Sequence, residues 1–197
     1  MANTNGRPIG AESLARLLHR TGEILAERGE SAEIALYGGS AILLTTGNRE
    51  ATRDVDFVPI VPGSPTLDEA AAIAGEEAGI GRDWLSDAVS VFASETPEYV
   101  PVGMFPPEAP GLRVLAASPR YMLAMKAMAL RSAIDSDDAE DVWNLLEECG
   151  VRTVDEAERL IAWFYPGSRL PQRQALVLAD IMEAREKGES FSRALAW

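Results

Sequence analysis

Two segments fix where this chain turns: Leu36-Tyr37-Gly38-Gly39-Ser40-Ala41-Ile42-Leu43-Leu44 and, after a short polar stretch, Arg53-Asp54-Val55-Asp56-Phe57-Val58-Pro59-Ile60. In the first, an apolar strand candidate from Ile34 to Tyr37 runs into two glycines and a serine, and Ala41 to Leu44 reads as the first turn of a helix. Backbone N–H groups left open at such a start face an anion. In the second, strand alternation puts Asp54, Asp56 and Val58 on one face and Val55, Phe57 and Pro59 on the other. Two carboxylates that close repel each other unless a proton, a cationic side chain or a hard metal ion neutralises them, and Mg²⁺ is the usual ion where phosphates are present. The pattern is that of a phosphate seat beside a metal seat.

Outward from this pair, the chain has 197 residues and is 47% hydrophobic, enough for one core or one core with a smaller helical appendage. One compact unit with two lobes is expected. No apolar run is long enough to span a bilayer, and Met1 to Gly10 has neither a basic start nor an apolar centre, so a cytoplasmic protein is expected. A single cysteine, Cys149, excludes an internal disulfide and a cysteine-based metal cluster; at the apolar-flanked end of a helix it reads as a buried structural thiol. With 31 acidic against 18 basic residues, the net charge of −13 disfavours a broad nucleic-acid footprint. Arg16, Arg20 and Arg28, with His19 beside them, recur at near-helical spacing and are either a local basic patch or the solvated face of a helix.

Leucines at 14, 17, 18 and 25 make Ala11 to Arg28 an amphipathic helix ended by Gly29. Val61 to Pro65 is a turn, and Thr66 is placed to cap a helix running to about Gly79. Trp84-Leu85 falls on a loop or short helix, and Ser90 to Ser94 reads as a strand. Pro97, Pro101, Pro106, Pro107 and Pro110 then predict a long irregular connection. Leu112 to Ala117 is the last strand candidate, Ser118-Pro119 opens a helix to about Ile134, and helices follow over Asp138 to Glu148, Thr153 to Tyr165 and Pro171 to Lys187. Mixed strands and helices followed by helices alone predict an α+β fold: a mixed α/β core over residues 1–117 and a C-terminal helical lobe over 118–197.

The helix from Tyr121 to Ala133 is apolar almost all round and therefore central, and Lys126 interrupts it. Its ammonium either finds an anion or snorkels to solvent. Asp138 and Asp141 stand three apart, with Asp141 on the apolar side of its helix beside Val142 and Leu145. Arg131 is available to pair with these acids or with a phosphate.

Gly38-Gly39-Ser40, Arg49, Thr52, Asp54-Val55-Asp56-Phe57, Trp84-Leu85, Lys126 with Arg131, and Asp138 with Asp141-Val142 together resemble the nucleotidyltransferase superfamily of DNA polymerase β type, and within it the AbiEii-like abortive-infection toxins. The resemblance spans about residues 30 to 148. It implies a small mixed nucleotidyltransferase sheet flanked by helices, with the helical lobe completing an active-site cleft, and transfer of a nucleoside monophosphate from an NTP to an acceptor hydroxyl. It further implies Asp54 and Asp56 as ligands of Mg²⁺, with a two-metal site open to them, and Gly38, Gly39, Ser40, Arg49, Thr52 and Arg131 as nucleotide-binding residues. Lys126 would steady phosphates, and Asp138 or Asp141 would act as base or orient that lysine. Polymerase-type members take a third carboxylate from a later strand; Leu112 to Ala117 contains no acid, so one of those aspartates substitutes or fewer metals bind. The acceptor stays open among tRNA, a protein and a small molecule. A toxin with a cognate antitoxin is the leading expectation, beside an antibiotic-type nucleotidyltransferase and an inactive binding module that uses the proline-rich loop as a partner surface.

Overall fold

The computed structural model describes residues 7–61, 66–130 and 137–191, the side chain of Asp137 excepted. The fold is α+β. The chain begins with β1 (Ile9–Gly10) and α1 (Ala11–Glu27), then β2 (Ala32–Tyr37), α2 (Gly38–Thr45), β3 (Ala51–Thr52), β4 (Val55–Pro59) and α3 (Leu67–Glu77). After β5 (Leu85–Ser86), a 3₁₀ turn (Ala88–Phe92), β6 (Tyr99–Phe105) and β7 (Leu112–Ala117), it is helical: α4 (Pro119–Ala129), α5 (Asp137–Glu148), α6 (Val154–Phe164) and α7 (Gln172–Glu186). Two compact units result, one of Met1–Ala93 with Tyr99–Ser118 and one of Ser94–Glu98 with Pro119–Trp197.

In the first unit a mixed five-stranded sheet has the order β5-β4-β2-β7-β6. β2 runs antiparallel to β4 and parallel to β7, β4 is parallel to β5, and β6 is antiparallel to β7. Central β2 is buried from Ile34 to Tyr37, as a strand covered on both faces must be. The α1 helix packs against α3, β6 and β7, burying Leu14, Leu17, Leu18 and Leu25, the stripe its periodicity predicted. On its outer face Arg16 pairs with Glu12, Arg20 with Glu77 and Glu23, and Arg28 with Glu69. These arginines are thus a solvated, self-neutralised face rather than a basic patch.

Several local expectations are corrected. Ser90 to Ser94 is not a strand: Ala88–Phe92 forms the 3₁₀ turn. The proline-punctuated connection contains β6, with Pro101 inside it. Proline lacks the N–H that a central strand must donate, but β6 is an edge strand, where that loss is tolerated, and the register shifts between Pro101 and Gly103. Trp84 lies on a bend, as the loop reading allowed, while Leu85 opens β5 instead; the tryptophan is 1% exposed, its indole N–H donating to Ala71 O at 2.7 Å. Thr66 does occupy the N-cap position of α3, yet its hydroxyl bonds to Glu30 rather than to the helix. Of the turn placed at Val61 to Pro65, residues 62–65 lie outside the described residues.

In the second unit α4 packs against α5, α6 and α7, with Tyr121, Met122, Leu123, Ala124 and Ala127 buried. Its apolar circumference had placed it centrally. Thr153 caps α6 through a reciprocal box, its side chain accepting from Glu156 N at 3.2 Å while the Glu156 carboxylate accepts from Thr153 N. The short segment 94–98 is strapped onto these helices: Ser94 N donates to Tyr121 Oη at 2.5 Å, Ser94 Oγ donates to Phe164 O, and Thr96 Oγ1 donates to Trp163 O at 3.4 Å. Among the described residues, no helix is long and apolar enough to cross a membrane.

Candidate functional site

The glycine bend and the aspartate strand meet at the end of β2. Tyr37 pairs with Asp56, so the last residue before the bend lies beside the carboxylate. Gly38 has φ +59°, a left-handed conformation that a side chain disfavours. A Cβ added there would stand 2.7 Å from Asp56 Oδ2. Position 38 is therefore glycine for two reasons, backbone hand and the carboxylate laid over it. Gly39 is similarly covered: a Cβ there would meet Thr52 Oγ1 at 2.7 Å and Arg49 Nε at 3.0 Å. Helix α2 begins at Gly38 itself, earlier than the first turn at Ala41 that the sequence suggested. The glycines are thus part of the helix N-terminus, where peptide N–H groups and the helix dipole favour negative charge.

Arg49 and Thr52 are fixed from the strand side. Arg49 Nε donates to Ala51 O at 2.9 Å, and Thr52 Oγ1 donates to Asp54 O at 2.7 Å. Ser40 is fully buried, its hydroxyl donating to Tyr37 O at 2.7 Å. Its side chain thus closes the bend internally, and its backbone N–H is what it has to offer an anion. The alternation of β4 holds: Val55 and Phe57 are buried while Asp56 and Val58 are half-exposed, with half-exposed Asp54 just before the strand.

The same sheet face carries a polar row that the sequence did not reveal. Asp56 pairs with Tyr37 on one side and with Ser86 on the other, and paired residues on neighbouring strands share a face. Tyr37 Oη lies 2.9 Å from Tyr99 Oη. Tyr99 pairs with Ala117, a side chain small enough for the two rings to meet edge-on, centroids 6.2 Å apart. Tyr37 adjoins the glycines and was there to be noticed; Tyr99 sits among prolines and gave no signal.

Two carboxylates suit one mode of Mg²⁺ binding and not another. Mg²⁺ is commonly held by one or two carboxylates with waters and substrate phosphates completing the octahedron. Asp54 and Asp56 match that donor set. Among the described residues no group of three or more His, Cys, Asp and Glu side chains is placed to form an all-protein cage.

Lys126, Asp138 and Asp141 come together within the second unit. Lys126 Nζ lies 2.5 Å from Asp138 Oδ1 and 3.0 Å from Asp141 Oδ2, tying α4 to α5. Asp141 is 4% exposed, as its place on the apolar side of α5 required. Burial acts to lower the Lys126 pKa, but Asp141 and Asp138 outweigh it and hold the ammonium above its ordinary value. The lysine has found its anions rather than snorkelling out. Arg131 lies outside the described residues. Cys149 is half-buried rather than buried, and desolvation pushes its thiol up to about 11, with Glu148 adding to the effect.

No protein-family model matches the chain, and no curated protein matches it. Among solved structures it is similar to one described as the crystal structure of an antigenic nucleotidyltransferase-like protein from Paracoccidioides brasiliensis, at 15% sequence identity and a TM-score of 0.41, over 96% of this chain and 94% of that one.

Proposed function

We propose that the first unit binds a nucleoside triphosphate with Mg²⁺ and transfers its nucleoside monophosphate group to an acceptor hydroxyl. The observation that supports this most is the Asp56 carboxylate lying against Gly38 at the start of α2, which brings a cation ligand and an anion-binding helix start to one point. The backbone N–H groups of Gly38, Gly39 and Ser40 hold phosphate oxygens, and Arg49 and Thr52, over Gly39, flank them. Asp54 and Asp56 would hold Mg²⁺, which when bound would offset the charge that develops on the phosphate oxygens. The acceptor oxygen bonds to the α-phosphorus as the bond to the β-phosphate bridge breaks. Pyrophosphate leaves with the electron pair, and the hydroxyl proton passes to a base or to water. Asp138 and Asp141 orient Lys126. In the cell the same proposal makes the protein a cytoplasmic toxin restrained by a cognate antitoxin.

Label transfer from an α-phosphate-labelled NTP with Mg²⁺, to total RNA or lysate protein, tests this. Transfer that disappears in the Asp54→Ala/Asp56→Ala double variant is the expected result. Absence of transfer together with absence of calorimetric NTP binding through the millimolar range typical of substrates overturns it. A second reading, a module that binds nucleotide without transferring it, is favoured by the capture of Lys126 by two acids and by the lack of a third clustered carboxylate among the described residues. Binding without transfer selects it. For the toxin role, expression should arrest growth and Asp54→Ala should relieve the arrest.

A further inference from the structure

In a chain this acidic, arginines left without a carboxylate are informative. In the first unit Arg16, Arg20, Arg28, Arg82 and Arg113 each pair with a glutamate. In the second, among the described residues, no ion pair or hydrogen bond occupies the guanidinium of Arg120, Arg159 or Arg169. Arg120 and Arg159 line one cavity of about 320 Å³, together with Cys149, Glu156, Leu160 and Trp163. Arg159 also lines a neighbouring cavity with Ser168 and Arg169, which Asp155 and Glu158 share. Trp163 is 68% exposed, and it follows Arg159 by four residues, so the ring and the guanidinium stand one above the other on α6.

The charges in the first cavity can be counted. Arg120 and Arg159 are cationic, and the Cys149 thiol is neutral at physiological pH. Glu156 is the one acid lining it, and its carboxylate accepts from Arg152 N at 2.8 Å and Thr153 N at 3.2 Å in the α6 cap. Glu148 and Glu98 also act on the Cys149 thiol from nearby, so what the cavity offers is not a net positive charge but two guanidiniums that no carboxylate hydrogen-bonds, beside an open aromatic face. Its apolar floor is Leu160, 7% exposed.

We propose that this cavity binds a nucleoside phosphate, its phosphate held by Arg120 and Arg159 and its base stacked on Trp163. Guanidinium forks match phosphate oxygens, and an exposed indole stacks any base without regard to sequence. The volume suits one nucleotide, and the site lies in the second unit, away in sequence from the glycine bend. A free mononucleotide and the phosphorylated end of a strand carry the same chemistry.

The experiment is calorimetric titration of the full chain in EDTA, without Mg²⁺ or NTP, using AMP, adenosine, ribose 5-phosphate and a short 5′-phosphorylated oligonucleotide. AMP should bind, and adenosine and ribose 5-phosphate should each bind more weakly. Trp163→Ala should weaken AMP by about 5- to 150-fold, the loss of one base stack. Arg159→Ala should weaken AMP by roughly 10- to 150-fold, the loss of one charged contact, while leaving adenosine unchanged. Tighter binding of the oligonucleotide than of AMP assigns the strand end, and equal or weaker binding assigns the free nucleotide. All three variable positions are exposed, so Arg120→Ala serves as a second, independent removal. No AMP binding through the millimolar range, or binding unchanged in Trp163→Ala and Arg159→Ala, overturns the proposal. Running the same titration in the Asp54→Ala/Asp56→Ala background keeps its outcome separate from that of the transfer proposal.

Discussion

Replacing Gly38 with alanine should reveal how tightly Asp56 is bound into the bend. Two costs are expected. The first is backbone hand: at φ +59° a residue with a Cβ loses about 1–2 kcal/mol. The second is steric: the new Cβ would sit 2.7 Å from Asp56 Oδ2, the far end of a half-exposed side chain, so the carboxylate must turn off its place at a cost of about 0.5–1.5 kcal/mol. Gly38→Ala should therefore lose about 1.5–3.5 kcal/mol in all. Removing the carboxylate removes only the second cost, because the Asp56 Cβ itself is 3.9 Å from the same point, an ordinary contact. Measured by urea unfolding, Gly38→Ala in an Asp56→Ala background should cost only the first part, giving a coupling of about 0.5–1.5 kcal/mol between the two positions. Gly47→Ala is the control, since Gly47 has φ +69° with nothing within 4 Å of an added Cβ; it should cost the backbone part alone. Equal losses for Gly38→Ala in both backgrounds would show that the carboxylate does not lie over the bend, and the proposed meeting of phosphate and metal seats would go with it.

Lys126→Met should destabilise by about 3–5 kcal/mol in urea unfolding, toward the lower end because Asp138 keeps a third of its side chain in water. Since the folded pKa of Lys126 is raised above its ordinary value of 10.5, the gap between wild type and variant should stay level through neutral pH and shrink only as pH climbs past about 10.5 toward the folded value; a gap that closes near neutrality would refute the ion triad. Cys149, pushed from an ordinary value of 9.0 to about 11 chiefly by burial, should carry about 100-fold less thiolate at mildly alkaline pH than an unfolded cysteine, so iodoacetamide should label the native protein about that much more slowly than the urea-unfolded chain. Equal rates would mean the thiol stands in water.

What could be read in advance was whatever depends on near neighbours in the chain. The alternation around Val55 and Phe57, the leucine stripe of α1 and the start of α4 at Ser118-Pro119 each involve residues within a few positions of one another. The apolar surround of Lys126 left its ammonium either an anion or a path to solvent, and Asp141 on the apolar side of α5 supplied the anion. What escaped notice depends on pairings distant in sequence. Pro101 argued against a strand until β6 was known to lie at a sheet edge, and Val91 and Phe92 resemble strand residues although they form a 3₁₀ turn. Tyr37 meets Tyr99 only because β7 separates their strands with an alanine. The buried Ser40 hydroxyl likewise follows from how the bend closes on itself, which the glycines alone do not disclose.

The strap at 94–98 has a practical corollary. The polypeptide passes from one unit to the other after Ala93, returns at Tyr99, and leaves again after Ser118. Cutting the gene at Pro119 would strip the carbonyls of Trp163 and Phe164 and the phenol of Tyr121 of the partners that Ser94 and Thr96 provide. The two parts are thus not modules that recombination could exchange at one junction; a graft would need three splice points, and truncation at a single one should yield aggregates on expression.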